Sequence, residues 1–458
     1  MRTSVAILAA GLGTRMRSKQ AKVLHRAGGM ALIECVVEAA RQIAEPGDIV
    51  CVTGHQSDQV QALLAPQGLR FARQHEQKGT GHALKCAQEE IAAEDGLLMV
   101  LYGDTPLLTA KTLLRLRDTQ ATSNAAAILI TTTLDDPTGY GRVIIDSTGA
   151  VTSIVEHKDA TPHQRSIRVI NSGIYCFRAD LLWKHLAEVQ PNNASGEYYL
   201  TDMAAILQSH GHRVEHMHVD DPSELLGINT RIELAAADRL LRQRKNDALM
   251  LSGVTIERPE TVTIDAHVKV GQDTVIEACA RLLGSTEIGE DCRIGAGAII
   301  ENSRLANRVQ IAPYTLMIDS IIEEAAHLGP FSRLRPKSHV GPDAHVGNFV
   351  ELKNTRLGAG AKSGHLAYLG DAEIGPKSNI GAGTIVCNYD GQRKYATKIG
   401  RGSFIGSNST LVAPLEIGEE AYVGAASVIT HDVPGDALAL GRAKQVIKEG
   451  WVSKRKKK

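Results

Sequence analysis

Aromatic residues are scarce in this sequence: they make up 4% of its 458 residues, whereas glycine occurs 43 times. Such a composition suits thin, stacked layers better than a bulky core between two sheets. Lysine plus arginine equal aspartate plus glutamate, at 51 each, so a protein that binds nucleic acid through bulk charge is not expected. The one run of like charge, residues 454–458, is predicted to be a solvated tail.

Cysteine pairs and long apolar runs are also missing. The seven cysteines are scattered, and none forms a C-x-x-C pair, which predicts reduced thiols rather than a disulfide or zinc framework. The apolar stretch at residues 5–12 is short and is followed at once by Gly13, Arg15 and Arg17. No run approaches the roughly 18 apolar residues of a membrane span. We therefore expect a cytoplasmic protein without membrane insertion.

The second half of the chain has an aliphatic residue at almost every sixth position. The first series is Ile264, Val270, Ile276, Leu282, Ile288, Ile294 and Ile300, and two further series begin at Ile322 and Ile399. A period of six fits neither a helix nor a single strand, but it fits short strands joined by tight corners. The pattern predicts a parallel β-helix of roughly nine coils between Ile264 and Val433.

The six-residue period is interrupted in three places. It slips by one residue near Leu305 and again near Leu357, and it breaks at residues 388–398. We expect that third segment to leave the coil as an eleven-residue loop. Loops that leave a rigid scaffold often carry function.

The first half alternates between short apolar runs and amphipathic stretches. Residues 4–10, 48–54 and 97–102 are predicted strands, and residues 31–43 and 57–64 are predicted helices. This alternation indicates an α/β, Rossmann-like domain with ligands at the carboxyl ends of its strands. At 458 residues the chain is too long for one core. We expect a domain at residues 1–230, a linking helix at 231–252 and a repeat domain at 253–458.

A glycine-rich turn directly follows the first predicted strand. It reads Leu8-Ala-Ala-Gly11-Leu-Gly13-Thr14-Arg15-Met16. This is neither a Walker P-loop nor a G-x-G-x-x-G fingerprint, because Met16 replaces the third glycine. The glycines allow backbone N–H groups to approach phosphate oxygens, and Arg15 and Lys22 add positive charge. Taken alone, such a turn is about as often structural as phosphate-binding.

With the lysine that follows it, this motif resembles the sugar-1-phosphate nucleotidyltransferases, although Ala21 stands where that family usually has proline. Joined to a hexad-repeat half, the whole chain resembles a family of bifunctional enzymes. Those enzymes N-acetylate glucosamine 1-phosphate and then transfer UMP from UTP to the product, making UDP-N-acetylglucosamine for bacterial envelopes. The resemblance implies a left-handed β-helix, UTP and acetyl-CoA as co-substrates, Mg²⁺ as cofactor and a homotrimer.

For the uridylyl site, the resemblance implies a full set of residues. Arg15 and Lys22 would be catalytic, and Asp104 and Asn229 would hold Mg²⁺. The nucleotide and sugar would contact Leu8, Ala9, Gly11, Lys22, Gln74, Gly79, Thr80, Tyr102, Gly141, Glu156, Asn171 and Asn229. Taken alone, Asp104 would be read as a turn-forming carboxylate at a strand end.

For the acetyl-transfer site, the resemblance implies that His365 removes a proton from the 2-amino group of glucosamine 1-phosphate as it attacks the thioester. Glu351 is a weaker candidate to orient His365. Glucosamine 1-phosphate would be bound by Arg335, Lys353, Tyr368, Asn379 and Lys394, and acetyl-CoA by Ala382, Asn388, Tyr389, Ser407, Ala425 and Arg442. A lone histidine is more often structural than catalytic. The polar residues near His365 in the family's sugar-phosphate positions are what favours a catalytic role.

Two other interpretations stay open on the residues alone. The chain could be a single-activity nucleotidyltransferase whose repeat half is a scaffold or regulator. It could also be a sugar-nucleotide sensor without catalysis. The first interpretation does not require His365 or Lys353, and the second does not require Arg15 or Asp104.

Overall fold

A computed structural model describes residues 2–91 and 96–455 of the chain. The last three lysines of the predicted basic tail, residues 456–458, lie outside the described residues. The chain divides into two compact units, Met1–Leu241 and Arg242–Lys458. Among the described residues, no helix is both long enough and apolar enough to cross a membrane.

The first unit is built on one mostly parallel sheet. Among the described residues, the strands of this unit are β1 Thr3–Ala9, β2 Arg26–Ala27, β3 Met30–Ala31, β4 Ile49–Thr53, β5 Arg70–Arg73, β6 Leu97–Tyr102, β7 Ala127–Thr133, β8 Arg142–Ile145, β9 Val151–Val155, β10 Val169–Arg178 and β11 Val214–His218. The main sheet has the order β11-β7-β10-β6-β1-β4-β5, and β10 runs antiparallel to both of its neighbours. The β8–β9 hairpin attaches to β10, and β2–β3 form a separate hairpin.

Helices cover both faces of this sheet. They are α1 Leu32–Ala40, α2 Ser57–Leu64, α3 Thr80–Cys86, α4 Ala110–Thr122, α5 Pro162–Arg165, α6 Ala179–His185 and α7 Met203–Ser209. Alternate residues of each central strand point into two separate apolar clusters, so that Ile7 packs on one face and Leu8 on the other. Strands that bury both faces explain the continuous apolar runs in the sequence.

The glycine-rich turn does not lead directly into an α-helix. After β1 come two short 3₁₀ helices, Thr14–Met16 and Lys22–Leu24, and then the β2–β3 hairpin. Helix α1 begins only at Leu32. Any phosphate bound at this turn would therefore contact loop and 3₁₀ backbone rather than the N-terminus of an α-helix.

Helix α8 spans Arg231–Leu251, and the boundary that divides the chain into two units falls within it, between Leu241 and Arg242. Its sequence has no glycine or proline, which favours a continuous helix of this length. A last short helix, α9, spans Trp451–Arg455.

The second unit is a parallel β-helix with three faces. The first face contains Thr255–Ile256, Val275–Ile276, Arg293–Ile294, Gln310–Ile311, His327–Leu328, His345–Asn348, Lys362–His365, Asn379–Ile380, Phe404–Ile405, Tyr422–Val423 and Leu438–Ala439. The second contains Thr263–Ile264, Arg281–Leu283, Ile299–Glu301, Leu316–Ile318, Arg333–Leu334, Glu351–Lys353, Tyr368–Gly370, Ile385–Cys387, Thr410–Val412 and Val428–Ile429. The third contains Lys269–Val270, Glu287–Ile288, Arg304–Leu305, Ile321–Ile322, His339–Val340, Arg356–Leu357, Ala372–Ile374, Thr397–Ile399 and Leu415–Ile417.

The core of the coil explains the six-residue period. The aliphatic residue of each hexad, such as Ile276 or Leu352, points inward and joins one continuous apolar cluster. Small hydroxyl residues four places later turn inward at the corners and donate hydrogen bonds to backbone carbonyls, as Thr286 Oγ1 does to Leu283 O at 2.7 Å. A Cβ atom at Gly381 would lie 2.6 Å from the carbonyl oxygen of Ile405, so this corner requires glycine.

The loop at the third interruption is shorter than predicted. It comprises residues 388–396, because Thr397 and Lys398 already belong to the next strand and pair with Ala372 and Glu373. An antiparallel bridge between Tyr389 and Lys394 closes the loop. Thr397 and Lys398 do not complete the aliphatic pattern, so the sequence places them in the loop. Strand pairing nevertheless begins at these two residues, before the aliphatic Ile399.

Candidate active sites

The first site lies where strands β1 and β6 end side by side. These strands pair in parallel register, with Leu8 opposite Tyr102, so the glycine-rich turn and Asp104 emerge at the same edge of the sheet. The backbone N–H of Gly103 donates to Leu8 O at 3.0 Å and ties the two ends together. Ala9 ends β1, and Gly11 has open space where a side chain would project. This is the edge at which open α/β sheets bind ligands.

Four predicted side chains converge at this edge. Lys22 forms an ion pair with Asp104, and its Nζ also donates to Asn229 Oδ1 at 3.1 Å. Arg15 donates from a guanidinium nitrogen to the same Asn229 oxygen at 2.8 Å. The side chains of Lys22 and Asp104 are each 15% exposed, so their charges meet in a partly shielded cleft. The structure thus brings together residues from three distant parts of the sequence.

Asn229 is held by the segment that precedes α8. The backbone N–H of Ile228 donates to Asp104 O at 2.9 Å, which fixes this segment beside the carboxylate. Glu233 accepts hydrogen bonds from the backbone N–H groups of Asn229, at 2.5 Å, and Thr230, at 2.8 Å. Because one Nζ contacts both Asp104 and Asn229, the two oxygens are close enough to share one cation. Two hard oxygen ligands of this kind fit Mg²⁺, for which water and phosphate oxygens would complete the coordination.

The predicted uridine loop packs against a second segment of the first unit. Gln74 Nε2 donates to Gly79 O at 3.0 Å, and the N–H of Gly81 donates to Tyr198 O at 2.8 Å. Gly79 has φ +106°, and a Cβ atom there would lie 2.6 Å from Tyr198 O. Glycine is therefore required at this position. Thr80 Oγ1 accepts from the N–H of Leu200 at 3.0 Å, which fixes the first residue of α3.

Three of the predicted sugar-binding residues, Gly141, Glu156 and Asn171, lie close to one another. The N–H of Asn171 donates to Gly141 O at 2.9 Å, and its side chain donates to Tyr175 at 2.7 Å. Partial burial, followed by the nearby charges of Asp159 and Asp202, raises the pKa of Glu156. Its carboxyl oxygen would lie 3.3 Å from a Cβ atom at Gly141, so these two residues are neighbours. Burial also raises the pKa of Tyr102.

His365 is exposed on the first face of the β-helix rather than turned into the core. Its Nδ1 lies 2.7 Å from Asn348 Oδ1, and the two residues are register partners on adjacent coils. An amide oxygen can only accept, so in the neutral imidazole this contact assigns the proton to Nδ1 and leaves the lone pair on Nε2. Glu351, the weaker candidate for this orienting role, instead accepts from Arg335 at 3.2 Å.

Three of the predicted acetyl-CoA residues stack in one column with His365. Ser363, Ile380, Ile405 and Val423 are successive register partners. Two positions beyond each lie His365, Ala382, Ser407 and Ala425. The small side chains of the last three leave room beside the histidine along this edge. Arg442 is exposed and follows the last strand of the same face.

Of the predicted sugar-phosphate residues, Lys353 and Tyr368 lie on strands of the second face, whereas Asn379 lies on the first. Asp371 is the centre of a group of contacts: it accepts from Lys353 at 3.1 Å, from Asn354 at 2.7 Å and from Asn388. Burial alone raises the pKa of Asp371, but these donors outweigh it and lower the pKa below its ordinary value. The sequence interpretation gave no role to Asp371 or Asn354, and it placed Asn388 with acetyl-CoA.

A cluster of positive charge surrounds this group. The nearby ammonium group of Lys353 lowers the pKa of Lys394, and Arg335 adds to the same effect. The Tyr368 hydroxyl would lie 2.5 Å from a Cβ atom at Gly370, which places it beside the Asn388 amide. Asn379 pairs with Lys362 one coil away. Converging cations of this kind suit a phosphate.

Comparison with known proteins identifies both halves. The MobA-like NTP transferase domain matches residues 5–170, the bacterial transferase hexapeptide repeat matches 267–302 and the hexapeptide repeat of succinyl-transferase matches 396–431. The Bifunctional protein GlmU of Solibacter usitatus is 56% identical over 99% of this chain and 97% of its own length. The proteins of that name from Koribacter versatilis and Trichlorobacter lovleyi are 47% and 45% identical, over 99% of this chain and 97% and 99% of their own lengths.

The chain belongs to the GlmU family. This confirms the resemblance inferred from the sequence, and with it the fold class: a Rossmann-like nucleotidyltransferase sheet followed by a left-handed β-helix of hexapeptide repeats. The chain is a bifunctional enzyme of UDP-N-acetylglucosamine synthesis, with a uridylyltransferase and an acetyltransferase activity. It acts on small molecules, a nucleoside triphosphate and acetyl-CoA among them.

Proposed function

We propose that uridylyl transfer takes place at the edge of the first sheet, with UTP and N-acetylglucosamine 1-phosphate as substrates. The observation that carries this proposal is the convergence of Arg15, Lys22, Asp104 and Asn229. The sugar phosphate must attack the α-phosphate of UTP, so two anions have to approach each other. Arg15 and Lys22 offset that repulsion and stabilise the charge that develops in the transition state.

Asp104 and Asn229 would hold the magnesium ion. When bound, Mg²⁺ neutralises phosphate charge and polarises the phosphoryl group. In this proposal the nucleotide contacts Leu8, Ala9 and Gly11 at the end of β1. Its uridine part is held by Gln74, Gly79 and Thr80. Gly141, Glu156, Asn171 and Tyr102 hold the N-acetylglucosamine ring by shape and hydrogen bonds to its hydroxyls. The adjacency of Glu156 and Gly141 supports this assignment of the sugar-binding residues.

For acetyl transfer, we propose that His365 Nε2 accepts the proton from the 2-amino group as that nitrogen attacks the thioester carbonyl. The hydrogen bond from Nδ1 to Asn348 supports this role, because it leaves Nε2 as the acceptor. Arg335, Lys353, Tyr368, Asn379 and Lys394 bind the sugar phosphate, while Asp371 positions Lys353 and Asn388. Asn388 therefore acts at the sugar end of the site.

The remaining parts of the proposal concern coenzyme A, assembly and location. Ala382, Ser407 and Ala425 line the groove for acetyl-CoA beside His365, with Tyr389 and Arg442 at its margins. The flat faces of the coil support packing about a threefold axis as a homotrimer. A domain division at residues 1–230, 231–252 and 253–458 and a cytoplasmic location complete it. The seven cysteines are all unpaired in the structure, which supports a reducing compartment.

The substrates can be tested directly. With UTP, Mg²⁺ and N-acetylglucosamine 1-phosphate, the purified chain should release pyrophosphate, and dTTP or glucose 1-phosphate should be much poorer substrates. With glucosamine 1-phosphate and acetyl-CoA, it should release the free thiol of coenzyme A. Pyrophosphate release without any thiol release would instead favour a single-activity nucleotidyltransferase with a scaffold β-helix.

Asn348 provides a test of how His365 is oriented. We expect Asn348→Ala to lower kcat for acetyl transfer by about tenfold while KM for both substrates changes little, because the ring loses its fixed tautomer but the binding residues remain. Uridylyl transfer by the same preparation should be unchanged. If kcat stayed normal, or if KM alone rose, Asn348 would not be a positioning residue for His365.

A further inference from the structure

A cluster of metal-ligating side chains lies in the first unit, outside the residues assigned to either reaction. His185 ends α6, Glu188 ends the following 3₁₀ turn, and His210 directly follows α7. Glu188 lies between the two histidines: its Oε1 is 2.7 Å from His185 Nδ1, and its Oε2 is 2.9 Å from His210 Nε2. One donor atom from each of the three lies within 4.8 Å of the others.

The hydrogen bonds within the cluster leave one of its buried ring nitrogens without a partner among the described residues. The side chain of His185 is 4% exposed, and its Nε2 is buried without a hydrogen-bond partner among the described residues. The rings of His185 and His210 lie 4.1 Å apart, and that of His212 lies 5.8 Å from His185. Three imidazoles and one carboxylate therefore share a small volume. Buried polar atoms in folded proteins normally have hydrogen-bond partners, so the unpartnered Nε2 of His185 calls for an explanation beyond packing.

We propose that His185, Glu188 and His210 form a binding site for a divalent transition-metal ion of the zinc class. Imidazole and carboxylate ligands suit Zn²⁺, and three protein ligands leave a fourth position for water or for His212. Donor atoms around tetrahedral zinc lie about 3.3–3.5 Å apart. Because Glu188 and His210 are both partly exposed, small side-chain rotations bring the donors from their present separations to that geometry.

The position of the site gives it a structural consequence. The chain between Glu188 and His210 contains the segment that packs on the predicted uridine loop. In that segment Tyr198 accepts from the N–H of Gly81 and donates its own N–H to Lys78 O, both at 2.8 Å. An ion held by His185, Glu188 and His210 joins the two ends of this segment. It therefore stabilises the first unit and leaves the acetyl-transfer residues of the second unit untouched.

The site is distinct in its chemistry from the proposed magnesium site. Asp104 and Asn229 offer only oxygen ligands, which suit a hard cation, whereas two imidazoles select a softer one. A large excess of Mg²⁺ should therefore occupy the first site without displacing a transition metal from the second. Variants at each site then report on that site alone.

The test uses the full-length, tag-free chain titrated with Co²⁺ in excess Mg²⁺ while visible absorption is followed. We expect the intense absorption of low-coordinate Co²⁺, which Zn²⁺ abolishes by displacement. Glu188→Gln and His210→Ala should each lose at least ten times in Co²⁺ affinity, while Asp104→Ala should bind normally. His163→Ala, an exposed histidine of the same unit, is the matched control and should also bind normally. Zn²⁺ should raise the Tm of the wild type but not of His210→Ala.

The proposal is overturned if His210→Ala and the wild type titrate alike while both remain folded by circular dichroism. A sulfur-to-cobalt charge-transfer band would equally overturn it, because the ion would then be held by cysteine, such as the exposed Cys279. These measurements do not depend on turnover, so they are decided separately from the proposed activities.

Discussion

Asp104→Ala should lower uridylyl transfer by at least about 10²-fold at saturating Mg²⁺, because the ion supplies several kcal/mol of transition-state stabilisation. The same change removes the anionic partner of Lys22. Freed from that ion pair, Lys22 cannot replace the metal, since an ammonium group carries one charge whereas the bound ion would supply two. Pyrophosphate release measured over a range of Mg²⁺ concentrations tests this expectation.

Two controls separate this effect from misfolding. Asp118→Ala removes an exposed carboxylate that pairs with Arg117 at 2.7 Å on the surface of α4, and it should leave turnover unchanged. Acetyl transfer by Asp104→Ala should also stay normal, which shows that the chain has folded. Near-normal pyrophosphate release by Asp104→Ala would remove Asp104 from the metal site.

His365→Ala should lower acetyl transfer by about 10²- to 10⁴-fold, which is the usual contribution of a general base. The substrate amine would then have to lose its proton to water, without a positioned acceptor. Because His365 is exposed and packs in no core cluster, its removal should change the Tm very little. Thiol release from acetyl-CoA and pyrophosphate release from UTP, assayed on the same preparation, measure the two activities separately.

The matched control for this variant is His431→Ala, another exposed histidine of the β-helix. It should keep both activities. If His365→Ala lost uridylyl transfer together with acetyl transfer, the cause would be misfolding or a shared site, and the assignment of His365 as the base for one reaction would be wrong. Retained acetyl transfer would be equally contradictory.

The sequence predicts the β-helix well because its signal is local and repeated. Each hexad contributes one inward aliphatic residue, so Ile276 or Leu352 can be placed in the core without any distant information. The same period predicts the stacking of Ser407 and Ala425, which lie three hexads apart, but not that of Ala382 and Ser407, which the loop separates. Asn348 stands one coil before His365 in the register, so the period could have revealed it once the one-residue slip near Leu357 was taken into account.

The first site depends on contacts that sequence patterns do not carry. Asp104 and Asn229 are far apart in the chain, and only the resemblance to a family joined them before the structure did. The path after β1 was also unpredictable, because the turn leads through 3₁₀ helices and a hairpin that have no strong periodicity. Asp371 was missed because a lone aspartate in a coil resembles any corner residue until its donors are known.

The most direct test of two independent sites is a mixing experiment with glucosamine 1-phosphate, acetyl-CoA, UTP and Mg²⁺ as the only starting materials. Asp104→Ala alone should accumulate N-acetylglucosamine 1-phosphate, and His365→Ala alone should leave glucosamine 1-phosphate unconverted. An equal mixture of the two variants should produce UDP-N-acetylglucosamine, detected by mass spectrometry, because the intermediate made by one is used by the other. If the mixture formed no more nucleotide sugar than either variant alone, while both remained folded, the two reactions would not reside in separate sites.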